Sequence, residues 1–216
     1  MDLDELITLW LNRMNQANGD DYNRLYRDFA CWIADLPPSK SKTIREYVAK
    51  LRDKIQAEDL EGTEIEPFVD GLVARHDPEA APLLGELLIL DNFFMKEDLA
   101  EGLGEMGETA KGAVPYLIQV IRKNGNEEEQ WVRAKAAWAL GKIGDASAVE
   151  ALIDALSDPA GPVRLNATSA LRALGAKRAT RKILRMMEKD KDYLVRAEAA
   201  RALGNWQIQE ALPLLK

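Results

Sequence analysis

The sequence predicts an all-α protein: a right-handed α-α superhelix of stacked helical hairpins, an α-solenoid, preceded by a three-helix cap. Three observations carry this. One ten-residue phrase is written three times, as VRAKAAWALG from Val132, VRLNATSALR from Val163 and VRAEAARALG from Val195. Each phrase leads through a turn into further residues, and most of these show a second helical periodicity. Finally, no single unit is large enough to bury both its helices, so neighbours must stack to complete a shared interior.

Taken in chain order, residues 1–62 do not repeat. They show three amphipathic stretches: Leu3, Leu6, Ile7, Trp10 and Met14; then Tyr22, Leu25, Tyr26, Phe29 and Ile33; then Ile44, Tyr47, Val48, Leu51 and Ile55. NGDD and LPPSKS punctuate them. A solenoid needs its first apolar face covered, so this segment is expected to be an N-terminal cap. Cys31 lies in the second stretch and is expected to pack in the core. As the one cysteine, it excludes an internal disulfide and a Cys-based zinc site.

From residue 63 onward about five hairpin units are expected, at 63–91, 93–123, 130–157, 162–189 and 194–216, the last one short. The first two are weaker: MKEDLAEGLGEMG (95–107) stands where VRAKAAWALGKIG (132–144) stands later, and Pro82 matches Pro115. His76, the single histidine, sits at a helix end, where it is expected to meet the helix dipole. An acidic insertion, NGNEEEQ (124–130), lengthens one interval.

In the three clear units the apolar residues fall at i, i+4, i+7 and i+8. They are Val132, Ala136, Ala139 and Leu140; Val163, Ala167, Ala170 and Leu171; and Val195, Ala199, Ala202 and Leu203. That spacing is one helix face, and the alanines favour helix and close packing. Gly141, Gly144, Gly175 and Gly204 are expected to end helices in a left-handed conformation. Second helices follow on Val114, Leu117, Ile118 and Ile121; on Val149, Leu152, Ile153 and Leu156; and on Thr180, Ile183, Leu184 and Met187. Asp145 is placed to cap the second of these.

The net charge of −7 is uneven. Residues 1–62 carry 9 basic and 12 acidic side chains, a net of −3. Residues 63–128 carry 5 and 14, a net of −9, and residues 129–216 carry 15 and 10, a net of +5. Such polarity suits a protein partner more than a nucleic-acid groove. No apolar run approaches a membrane span, and the acidic start MDLDELITLW is no basic leader. A cytoplasmic protein is expected.

The pattern VRxxAxxALGxIGDxxAVxxLixAL, clearest in Val132–Leu156, resembles HEAT repeats of the short type, similar to those of phycobilin lyases and related phycobilisome-handling proteins. The resemblance spans roughly residues 63–216 and is strongest over 130–204. Such repeats carry an Asp six residues before the Arg. Asp158 precedes Arg164 by six and Asp190 precedes Arg196 by six, while Glu127 takes that place before Arg133. The resemblance therefore implies that Arg133, Arg164 and Arg196 form an inter-repeat ladder with Asp158 and Asp190, not a row of ligand-binding cations.

Two partner-binding candidates remain. Trp131 and Trp138 are seven residues apart, on the side of their helix turned from Val132, Ala136 and Leu140. Later units carry Ser169 and Arg201 in the place of Trp138. The pair is expected either to form a docking or dimer surface or to be covered by the insertion or the next unit; Lys135 on the same helix joins it. The second candidate is the basic run Lys177, Arg178, Arg181, Lys182 and Arg185. In register Arg181 stands beside Glu150 and Arg185 beside Asp154, which leaves Arg178 and Lys182 unmatched. The run is then a weakly paired, solvated face or an anion-attracting patch.

No catalytic constellation emerges, and no catalytic residue, metal site or cofactor is expected. One histidine cannot supply the His–Glu metal set that HEAT-type deoxyhypusine hydroxylases require, and no Gly-rich phosphate loop is present. The leading expectation is a non-enzymatic protein-interaction scaffold. The resemblance implies an alternative, a phycobilin lyase or phycobiliprotein chaperone-like subunit, with a bilin as the one implied cofactor and the basic run attracting its propionates. Nucleic-acid binding through the basic C-terminal repeats ranks last, because residues 63–128 would repel phosphates. WQIQEALPLLK opens a second helix with Leu212 and Leu215 toward the core. An uncapped apolar end is expected either to continue in a longer chain or to be buried in a homo-oligomer.

Overall fold

A computed structural model describes residues 3–37, 41–56, 66–90, 95–123 and 129–209. Leu212 and Leu215, the insertion residues 124–128 with Glu127, and the side chains of Leu3, Leu51 and Ile55 lie outside the described residues. The fold is all-α, an α-solenoid, with no strand among the described residues. Twelve α-helices are present among the described residues: α1 (Leu3–Gln16), α2 (Gly19–Ala34), α3 (Ser41–Gln56), α4 (Glu66–Ala74), α5 (Ala81–Leu88), α6 (Lys96–Glu105), α7 (Val114–Arg122), α8 (Gln130–Ile143), α9 (Val149–Ala155), α10 (Gly161–Ala173), α11 (Thr180–Lys189) and α12 (Tyr193–Asn205). No described helix is long and apolar enough to cross a membrane. The chain divides into two compact units, residues 1–113 and 114–216.

In the first unit α2, α4 and α6 form a row, and α3 packs on α5. The helices of residues 1–62 thus share their interior with those that follow. Ile7, Met14, Phe29, Ile33, Ile44 and Val48 are buried together with Phe68 and Leu72. Tyr47 lies against Phe68, ring centroids 4.8 Å apart, and Trp10 against Phe29 at 5.8 Å. Gly71 allows the closest approach: a Cβ there would stand 2.5 Å from Ile33 Cβ and 2.8 Å from the Ala30 carbonyl oxygen. Cys31 is exposed, contrary to expectation. Phe29 and Ile33 set the buried line of α2, and a residue two positions from each falls about 200° round the helix.

In the second unit α8, α10 and α12 lie side by side, and α7 contacts α9. Close approaches join α7 to α8, α9 to α10 and α11 to α12. Ala136, Ala139, Leu140, Val163, Ala167, Leu171, Val195, Ala199 and Leu203 are all buried, as the repeated phrase requires. Val132 is only half-buried, and Met186 rather than Met187 is the buried methionine of α11.

The glycines divide by role. Gly144 (φ 79°) and Gly175 (φ 63°) take the left-handed conformation that ends a helix. Gly141 and Gly204 do not: both lie within helices, α8 and α12. Gly141 serves packing, since a Cβ there would stand 2.7 Å from Ala170 Cα on α10. The corresponding left-handed place beyond α12 is filled by Gln207 (φ 59°), and His76 (φ 50°) does the same beyond α4. Asp145 accepts from the Ser147 amide at 2.8 Å, capping the 3-10 turn that leads into α9.

Candidate functional site

The repeated phrase places one arginine in the first turn or two of α8, α10 and α12, and these arginines and two aspartates form one chain of bonds. Arg133 donates from Nε to Asp158 Oδ2 at 2.9 Å and from Nη2 to Oδ1 at 3.2 Å. Arg164 forks onto Asp190 in the same way, at 2.8 and 2.7 Å. Its Nη1 donates to the carbonyls of Asp158 and Pro159, both at 2.9 Å. Arg196 donates to the Asp190 carbonyl at 2.7 Å. Each aspartate thus gives its carboxylate to the arginine of the preceding unit and its carbonyl to the arginine six residues on. The carboxylates also receive the amides of Ala160 and Asp192, which lock the loops.

Arg133 and Arg164 are buried, with 2% and 6% of their surface exposed. Burial pushes the Asp190 carboxyl up, but the hydrogen bonds from Arg164 and the Asp192 amide outweigh it, and its pKa lies below the ordinary value. The hydrogen bond to Asp190 raises the Arg164 pKa above its already high ordinary value. A related pair escaped the sequence reading: Arg172 Nε donates to the buried Glu198 at 2.8 Å, and Arg201 closes on its other oxygen at 2.6 Å. Its spacing of 26 residues equals that of Arg164 and Asp190, which was the available signal.

Trp131, the second residue of α8, has 52% of its surface exposed. Trp138 is half-buried, and Lys142 lies over its ring at 5.4 Å. Lys135 is half-buried on the same helix. Pro162 and Leu194 occupy the place of Trp131 in α10 and α12. Leu194 is 47% exposed and Tyr193 beside it 68%. The Arg133–Asp158 pair lines a concavity of about 570 Å³, with Arg122, Lys123 and Ser157 on its walls.

The basic run does not pair as its register suggested. Arg178 takes Glu150, at 2.8 Å, and Lys182 donates to the Ile153 carbonyl at 3.0 Å. Arg181 and Arg185 are exposed and have no acid partner among the described residues. The earlier start of the run explains the difference. Lys177 and Arg178 lie in a 3-10 turn before α11, and Arg178 reaches Glu150 ahead of Arg181.

The first unit holds a second feature that the sequence did not announce. Tyr22, Tyr26, Asp20 and Glu66 line a concavity of about 720 Å³ where α2 meets the start of α4. The Tyr26 hydroxyl donates to Asp70. Burial, the Asp70 hydrogen bond and nearby carboxylates raise the Tyr26 pKa. Burial and the charges of Asp70 and Asp98 raise that of Glu66. No group of His, Cys, Asp and Glu among the described residues could hold a metal ion.

A stack of short helix pairs tied by an Arg–Asp chain is the architecture of a helical repeat protein. Residues 115–204 match the family model of HEAT repeats. No curated protein matches the chain. Among solved structures, an engineered protein is 20% identical with a TM-score of 0.55, over 93% of this chain and 96% of that one. A designed armadillo repeat protein in complex with the peptide (KR)4 is 15% identical with a TM-score of 0.54, over 93% and 99%. Human deoxyhypusine hydroxylase in complex with glycerol is 21% identical with a TM-score of 0.52, over 79% of this chain and 66% of that one. At these identities the likeness is one of fold.

Proposed function

We propose that this chain is a non-enzymatic protein-binding scaffold whose docking edge is the row of helix starts in the second unit. One observation carries the reading: exposed apolar side chains stand at the same place in two of the three repeated helices, Trp131 on α8 and Leu194 with Tyr193 on α12, with the half-buried Pro162 of α10 between them. The Arg–Asp chain beneath them holds those helix starts in register, so the row is a rigid surface. Large apolar groups left in water on such a surface favour association, and Trp and Tyr are the residue types most enriched at binding hot spots. The similarity to a designed armadillo repeat protein that holds a peptide agrees with this use of the fold.

The test compares capture from the native host by the wild type and by W131A/W138A, with the bound proteins identified by mass spectrometry. A partner retained by the wild type and lost from the variant is expected; identical capture overturns the proposed edge. The bilin-handling alternative rests on the sequence resemblance alone. It is tested separately, by the absorbance of phycocyanobilin mixed with the purified protein.

A further inference from the structure

The charge of α11 is inverted relative to that of α9. Over residues 177–189 the chain has six cations and one acid, Glu188. α9 has two acids, Glu150 and Asp154, and no cation. In the repeat register Arg181 stands where α9 has Glu150, and Arg185 where it has Asp154. Two of the cations work within the fold: Arg178 pairs with Glu150 and Lys182 reaches the Ile153 carbonyl. Arg181 and Arg185 do neither.

Neither arginine makes an ion pair or a hydrogen bond among the described residues. Ile183 and Met186 are the buried residues of α11, and at about 100° per residue Arg181 and Arg185 lie roughly opposite Ile183, with Arg185 to the side of Met186. The two arginines are four residues apart on one line, a spacing at which like charges repel and destabilise a helix. No ion pair of either arginine, with Glu188 on the same helix or with any other acid, forms among the described residues, so an external anion is a fitting counter-charge. The surroundings limit what that anion can be. Glu188 is exposed on the same helix, and Glu150 is exposed on α9, where it pairs with Arg178; carboxylates there disfavour an unbroken run of phosphates more than a segment whose acids are spaced apart. A peptide can instead set separate carboxylates over the two guanidiniums, each held in a bidentate pair.

We propose that α11 docks an acidic, unstructured segment of a partner protein, with Arg181 and Arg185 gripping its carboxylates. This deepens the scaffold reading and rests on it. The probe is a short fluorescein-labelled peptide of glutamate and serine, followed by fluorescence anisotropy at low salt. Binding is expected to weaken by about tenfold or more in R181E/R185E, the effect of losing two charge-assisted contacts. R181Q/R185Q, which removes charge without reversing it, should show the same loss should the reversal disturb folding. R24E, which alters an exposed cation of the first unit, should bind as the wild type does. Absence of binding by the wild type overturns the proposal, as does binding that ignores both double variants. Duplex DNA that binds as tightly, with the same dependence on Arg181 and Arg185, overturns the assignment to a peptide. Trp131 and Trp138 are intact throughout, so failure here leaves the capture experiment to judge the scaffold reading by itself.

Discussion

Arg164 reaches two loops at once: its guanidinium forks onto Asp190 of the following loop, at 2.7 and 2.8 Å, while its third nitrogen holds the Asp158 and Pro159 carbonyls of the loop before. Both side chains are nearly buried, so neither can fall back on water. Removing one partner leaves the other desolvated and unpaired. R164A is expected to lower the unfolding free energy by about 3 kcal/mol, and R164K to recover little, because an ammonium cannot fork. Urea denaturation followed by circular dichroism measures both.

The same pair sets an acid-sensitive contribution to stability. The Asp190 carboxyl titrates lower in the folded chain than in the unfolded one. A depressed folded pKa stabilises above the unfolded value, and the stabilisation is lost as pH falls through the folded value. The loss therefore belongs to the region below the ordinary carboxylate pKa of about 4. D190N is expected to flatten the acid limb of the melting temperature there, at the expense of stability at neutral pH. An acid limb as steep as that of the wild type would refute the assignment.

Gly141 and Gly204 occupy the same place in their repeats but should respond oppositely to alanine. At 141 the new Cβ meets the Ala170 backbone at 2.7 Å; at 204 it meets nothing within 4 Å. G141A is expected to destabilise by about 1–3 kcal/mol through overpacking. G204A should stabilise by up to about 1 kcal/mol, because alanine loses less backbone freedom in a helix. Thermal melts of the two variants decide the matter.

Gln207 holds a left-handed φ of 59° at the helix-ending place that Gly144 and Gly175 fill in the preceding units. A Cβ in that conformation is strained by about 1 kcal/mol. Q207G is expected to return much of that as stability, and a lower midpoint in denaturant would contradict it.

Local chemistry in the chain was enough to specify the helices and the faces they bury. Val163, Ala167 and Leu171 recur on one side because period 3.6 allows nothing else, and the phrase that carries them is visible without coordinates. The Asp and Arg of the ladder were legible too, through their constant spacing. Which arginine each carboxylate would choose was not legible. Asp158 lies six residues from Arg164 along the chain but gives its side chain to Arg133, 25 residues away. Stacking brings the first turn of one unit beside the loop that opens the next. Pairing across repeats is decided by side-chain reach and by a 3-10 turn that shifts the start of a helix, and neither follows from register. The same cause moved Glu150 from Arg181 to Arg178 and left two arginines facing water. Gly141 likewise reads as a helix end in the sequence, and only the approach of α10 shows it to be a contact. Periodicity is a property of one segment, whereas a partner is a property of two segments, and the distance between them exists only once the chain has folded.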